Sequence, residues 1–181
     1  AHNGNLVNSL ELRQDLENKG SIFQTSMDSE VVLHLMARTT HLGLDRALTE
    51  SFSCLKGAYS ILLMTEDTLV AVRDPGGFRP LCLGKLNNGA WIVASETCAL
   101  DLVEAEYIRD VEPGEVLIIN DKEIRSLFPW PKQKTSFCIF EQVYFARPDS
   151  DIFGINVYEA RKRMGEILAR EAGVKGDFVM P

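Results

Sequence analysis

Ala1-His2-Asn3-Gly4-Asn5-Leu6 opens the chain, and Ser26-Met27-Asp28-Ser29-Glu30 follows about a turn and a helix later. The first stretch offers a glycine-permitted turn whose backbone N–H groups and Asn side chains can face a developing negative charge. The second offers a carboxylate at a helix start, and one site can use both. Each has an ordinary reading too. Asn-Gly is the commonest short turn signal, Asp28 or Ser26 would cap a helix, and His2 alone reads as a loop residue.

Outward from this pair, Asn8-Ser9-Leu10-Glu11 has the cap and third-position acid of a helix start, and Gly20 closes a helix over about 9–18. Val31, Val32, Leu35 and Met36 form the apolar face of a second helix, and Leu44, Leu48, Phe52 and Leu55 that of a third, ended by Gly57. From Ala58 the period drops to two. Short β-rich runs at 58–64, 68–73, 80–86 and 90–94, separated by turn residues, predict an antiparallel meander. Ser95-Glu96 caps a short helix to Val103, and further strands are expected at 107–111, 115–120 and 123–127. Helices followed by runs of strands predict an α+β fold with layered packing. Asp74-Pro75-Gly76-Gly77-Phe78-Arg79-Pro80 lacks the Lys-Ser/Thr of a phosphate loop and lies between strands, so it reads as a tight hairpin.

Phe128-Pro129-Trp130-Pro131-Lys132-Gln133-Lys134 breaks the pattern with two prolines, which places a domain boundary between 1–134 and 135–181. Beyond it, a helix is expected over 157–172 with Met164, Leu168 and Ala172 on one face, then a strand beginning at Phe178-Val179-Met180.

The 181 residues are 45% hydrophobic and 25% charged, a globular composition with room for one core and part of another. A net charge of −7 leaves no basic patch to neutralise phosphates, which argues against a nucleic-acid partner. No apolar run approaches the about 20 residues of a membrane span. Cys54, Cys82, Cys98 and Cys138 are widely spaced and form no Cys-x-x-Cys pair, so a reduced, cytoplasmic protein is expected. His2, His34 and His41 show no metal-binding spacing.

The opening pair, in this order and spacing, resembles the glutaminase domain of amidotransferases that use an N-terminal cysteine nucleophile. Cys138-Ile139-Phe140-Glu141-Gln142-Val143-Tyr144-Phe145-Ala146-Arg147-Pro148-Asp149-Ser150 resembles the entry of amidophosphoribosyltransferases into their second domain, and 73–80 matches that family's Arg-Asp-Pro-x-Gly-x-Arg-Pro turn. The resemblance implies a four-layer αββα N-terminal-nucleophile hydrolase sandwich followed by the start of an α/β phosphoribosyltransferase domain. It implies Asn3 and Gly4 as the oxyanion hole and Asp28 as the holder of the α-ammonium of glutamine. The implied substrates are glutamine and phosphoribosyl diphosphate, with Mg²⁺ in the second domain and a homo-oligomer when complete. It further implies a first-residue cysteine and an upstream arginine, neither of which is among these residues. The chain is therefore expected to be a piece lacking its nucleophile and inactive alone.

Some family members carry a 4Fe–4S cluster whose first cysteine lies near Cys138; a buried apolar role for that thiol is the alternative. Other glutamine-dependent enzymes, a sugar-phosphate aminase or an asparagine synthetase, share His-Asn-Gly and an Asp before a helix. A non-catalytic α+β interaction domain is the reading from another class.

Overall fold

Strand β1 (His2–Leu6) pairs antiparallel with β2 (Gly57–Met64), and all three long N-terminal helices lie in the sequence between them. The protein is described here by a computed structural model that covers residues 1–178 and 180. The stretch expected as an opening loop is thus a strand. Helix α1 (Ser9–Asn18) turns Leu12 and Leu16 inward at helical spacing, and the Gly20 N–H closes it on the Glu17 carbonyl at 2.9 Å. Asn8 stands at its N-cap without capping it. Its amide instead donates to the Cys54 carbonyl and accepts the Lys56 N–H, both at 2.9 Å.

Helix α2 (Glu30–Thr39) buries Val31 and Val32, and α3 (Leu44–Ser53) buries Ala47, Leu48 and Phe52. Helix α3 stops at Ser53, and Gly57 opens β2 rather than ending the helix. The expected cap on α2 is not made either. Ser29 holds the N-cap position with no side-chain bond to the helix, while the Asp28 carboxylate is drawn away to β1.

The strands do not form a single meander. β3 (Thr68–Arg73) follows β2 as a hairpin partner, and β4 (Cys82–Lys85) pairs with β5 (Trp91–Ala94), but β3 and β4 lie in different sheets. After α4 (Thr97–Leu102), β6 (Glu106–Asp110) joins β4. Then β7 (Val116–Asn120) returns to β3 and β8 (Ile124–Leu127) to β7. One sheet runs β1-β2-β3-β7-β8 and the other β5-β4-β6. The 74–80 stretch, read from sequence as a tight hairpin, lies in the crossover between them. Asp74 bends it, its carboxylate accepting the N–H groups of Tyr59 at 3.2 Å, Gly76 at 2.9 Å and Phe78 at 3.1 Å.

Alternation along the strands fills two cores. Val70, Val72, Val116 and Ile118 meet the helices with Leu16, Val31, Leu48 and Phe52. Ala71, Leu117 and Ile119 face the second sheet with Leu81, Leu83 and Val111. On that sheet's outer side a β-carbon at Gly84 would lie 2.7 Å from Leu100 of α4, which supplies the fourth layer. The αββα order is the expected one. Glu96 sits at the N-cap of α4 but makes no capping bond, contrary to the sequence reading.

Past residue 127 the chain lies on the crossover, the Ser136 N–H donating to the Gly76 carbonyl at 2.8 Å and Cys138 to Phe78 at 3.1 Å. A π-helical turn (Glu141–Phe145), a two-residue hairpin of β9 (Asp151–Ile152) and β10 (Ile155–Asn156), and α5 (Val157–Ala172) follow. The Asn156 side chain caps α5 through the Glu159 N–H, and Gly173 ends it in the left-handed conformation. Leu168, expected on an apolar face, is 64% exposed. The strand expected over 178–180 turns on Val179, which lies outside the described residues.

Candidate active site

β1 is an edge strand with a strict alternation. Ala1 exchanges both backbone bonds with Leu62 at 2.9 Å, so Asn3 and Asn5 are hydrogen-bonded to β2 while His2, Gly4 and Leu6 turn their N–H groups to the free edge. The Leu6 N–H is caught there by Asp28 Oδ2 at 2.8 Å. Asp28 Oδ1 faces His2 Nδ1 at 3.3 Å. The Gly4 N–H therefore points to the same edge as the carboxylate that the sequence nominates. This brings two of the three expected site residues together.

Gly4 has a backbone reason to be glycine. Its φ of +147° is one that L side chains rarely adopt, and a β-carbon there would lie 2.0 Å from the Ala58 carbonyl oxygen. Asn3 projects to the opposite face of the strand. There it lines a cleft of about 240 Å³ with Ala1, His2, Ser60, Leu62, Leu81 and Ser95. The geometry thus offers a backbone donor at the edge, an amide in the cleft, and a partly open carboxylate whose side chain is 26% exposed.

His2, which reads from sequence as a loop residue, packs beside Asp28. Its side chain is 6% exposed, bonded through Nδ1 to Asp28, and its Nε2 is buried with no partner among the described residues. The signal was available: His2, Gly4 and Leu6 share one face at period two, and Leu6 is apolar. Behind β2, Arg73 is fully buried and donates to three carbonyls, of Arg79 at 2.9 Å, Val111 at 2.6 Å and Gly77 at 3.2 Å. Burial pushes the Arg73 pKa down. Burial likewise raises that of Asp74, against the pull of the N–H groups it accepts. The Arg79 carbonyl also receives the Ser60 hydroxyl at 3.3 Å, so this crossover backs β2 at the position opposite Asn3.

Residues 1–102 match the sequence profile of a family described as "Glutamine amidotransferase domain". The chain belongs to that family. This glutamine amidotransferase chain is 52% identical over 179 residues to an amidophosphoribosyltransferase of Bacillus subtilis, covering 99% of the chain and 37% of the relative. It is 54% identical over 185 residues to a chloroplastic amidophosphoribosyltransferase of Glycine max, covering 99% and 32%. The chain thus spans about a third of the length of these curated relatives. Among solved structures it superposes, with a TM-score of 0.93 and 52% identity, on the B. subtilis glutamine phosphoribosylpyrophosphate amidotransferase complexed with ADP and GMP, covering 98% of this chain and 39% of that one.

Cys138 is half-buried, and among the described residues no group of three His, Cys, Asp or Glu side chains comes together that could hold a metal ion. The described residues of this amidotransferase chain therefore do not fit an iron–sulfur cluster by themselves. No described helix is long and apolar enough to cross a membrane.

Proposed function

We propose that the chain is the glutamine-hydrolysing part, residues 1–134, and the start of the phosphoribosyltransferase part, residues 135–181, of an amidophosphoribosyltransferase. The observation that carries the site is the free edge of β1, to which the Gly4 N–H points and on which the Asp28 carboxylate holds the Leu6 N–H. Glutamine is held by its α-ammonium on Asp28, whose side chain is 26% exposed. A thiolate supplied from outside these 181 residues attacks the carboxamide carbon. Charge then develops on the amide oxygen, and the Gly4 N–H with the Asn3 amide stabilises it, each donor by roughly 3 to 4 kcal/mol. Collapse of the tetrahedral adduct releases ammonia and leaves a thioester, which water hydrolyses to glutamate. Ammonia displaces diphosphate from phosphoribosyl diphosphate in the second domain, giving 5-phosphoribosylamine and pyrophosphate.

The relatives named amidophosphoribosyltransferase support this reading, as does the similarity running past residue 134 to nearly the end of the chain. Mg²⁺ belongs to the diphosphate of the second substrate, outside these residues. Any cluster would take only Cys138 from them. The whole enzyme is read as a cytoplasmic homo-oligomer without nucleic-acid or membrane partners.

The test is made on a full-length protein carrying this chain. Glutamine or ammonia, given with phosphoribosyl diphosphate and Mg²⁺, should yield pyrophosphate and phosphoribosylamine. Glutamate release with no consumption of phosphoribosyl diphosphate from either nitrogen source would assign the chain to another glutamine-dependent synthesis.

A further inference from the structure

Ser95 lines the cleft beside Ala1, His2 and Asn3. The next residue, Glu96, is in extended backbone with φ −138° and ψ 147°, so its side chain leaves on the opposite side. There its Oε2 accepts the Arg147 backbone N–H and the Ser150 hydroxyl, both at 2.8 Å, and the Cys98 thiol at 3.7 Å. Beside it Thr97 Oγ1 accepts the Asp151 N–H at 2.8 Å. A glutamate at an N-cap that served only its own helix would accept a backbone N–H of that helix; this one makes no such capping bond and takes only the Cys98 thiol from it.

The segment it holds is fixed from the other side by α5. The Val157 N–H donates to the Ser150 carbonyl and Tyr158 to Pro148, both at 3.0 Å, while Arg161 Nη2 reaches the Ala146 carbonyl at 2.7 Å. Ser150 is fully buried between the two. A continuous set of polar bonds thus runs from α5 through Ser150 and Glu96 to the wall of the cleft. Two of these bonds end on one carboxylate, where they are charge-assisted.

We propose that Glu96 is a positioning residue that ties the cleft wall at Ser95 to the Arg147–Asp151 segment, and so keeps glutamine hydrolysis in step with the use of ammonia by the domain that follows. This rests on the functional reading above. Glu96 touches neither reacting group, so its removal leaves ammonia-dependent synthesis in place and uncouples the glutamine-dependent one.

The test measures glutamate released and phosphoribosylamine formed by a full-length protein carrying this chain, with glutamine or ammonia. In Glu96→Ala the ammonia-dependent rate should stay within about twofold of the parent, while glutamate released per phosphoribosylamine rises about three- to thirtyfold. Ser150→Ala removes one donor only and should move the ratio the same way by less, which keeps the test available if Glu96→Ala fails to fold. An unchanged ratio in the folded variants, whether the rates hold or fall together, overturns the proposal. A parent protein that makes no phosphoribosylamine from ammonia sinks the functional reading and this inference with it, an outcome distinct from an unchanged ratio.

Discussion

Asp28 Oδ2 accepts the Leu6 backbone N–H at 2.8 Å, joining the start of the second helix to an edge strand 22 residues earlier. An asparagine keeps an oxygen for that N–H but loses the charge. Asp28→Asn should therefore lower stability by only about 1 kcal/mol. In a full-length protein carrying this chain it should cut kcat/KM for glutamine by a loss of about 2–5 kcal/mol, roughly thirtyfold to several thousandfold. Ammonia-dependent synthesis should persist. Normal glutamine kinetics in the variant would reduce Asp28 to a brace for β1.

Gly4→Ala places a methyl group 2.0 Å from the Ala58 carbonyl oxygen, in a backbone region unfavourable to L side chains. The β1–β2 pairing must open, at a cost of at least about 3 kcal/mol. Gly20 also has positive φ but nothing within 4 Å of the added carbon. Gly20→Ala should cost about 1 kcal/mol. Urea unfolding of the two variants side by side checks the contrast, and equal losses would show that β1 is not paired as described.

Glu115 is fully buried and receives both Arg109 nitrogens, at 2.8 and 2.6 Å, the Ser126 hydroxyl and the Glu112 N–H. Burial works to raise its pKa, yet these donors hold it below the ordinary value of 4.5. A carboxylate depressed in the folded state contributes fully above that ordinary value and loses its contribution as pH falls through the folded one. Stability should accordingly decline on acidification below pH 4.5. Arg109→Ala leaves the charge buried and poorly compensated, at about 3 kcal/mol, or roughly 6–12 °C in Tm for a chain of this size. A variant melting within about 2 °C of the parent would contradict it.

Arg79 Nη1 donates to Glu141 Oε1 at 2.6 Å across 62 residues, and its guanidinium lies 4.6 Å from the Phe145 ring centre. The Glu141 side chain is only 4% exposed. Arg79→Ala should destabilise by about 3–5 kcal/mol, and the double variant Arg79→Ala/Glu141→Ala should recover part of that loss, because the orphaned buried charge goes with it. Strictly additive losses in a double-mutant cycle would show that the pair is not coupled.

Local periodicity carried the helices: 9–18 and 157–172 were both legible, because apolar spacing lies within the element, although the face read for the second is exposed at Leu168. Strands were legible too, but not their partners. Val70 lies opposite Ile118, and no turn signal near either announces a pairing across that distance, so the chain was read as a meander. The site was half legible for the same reason. Asp28 and Glu96 both sit where a helix cap belongs, and sequence alone cannot weigh a nearby helical N–H against one on a distant strand. His2 was lost because a histidine before Asn-Gly looks like loop until the strand is recognised.

The pairing of Asn3 with Ser60 has a kinetic side. During synthesis β1 leaves the ribosome long before its partner, and nearly sixty residues, the three helices among them, must follow before β2 can receive it. At about 5–20 residues per second that is a delay of several seconds. The strand bearing Gly4 therefore docks late, only after the chain has been made as far as β2. A nascent chain arrested before Gly57 would have β1 without its partner strand, and the Gly4 N–H without a fixed direction.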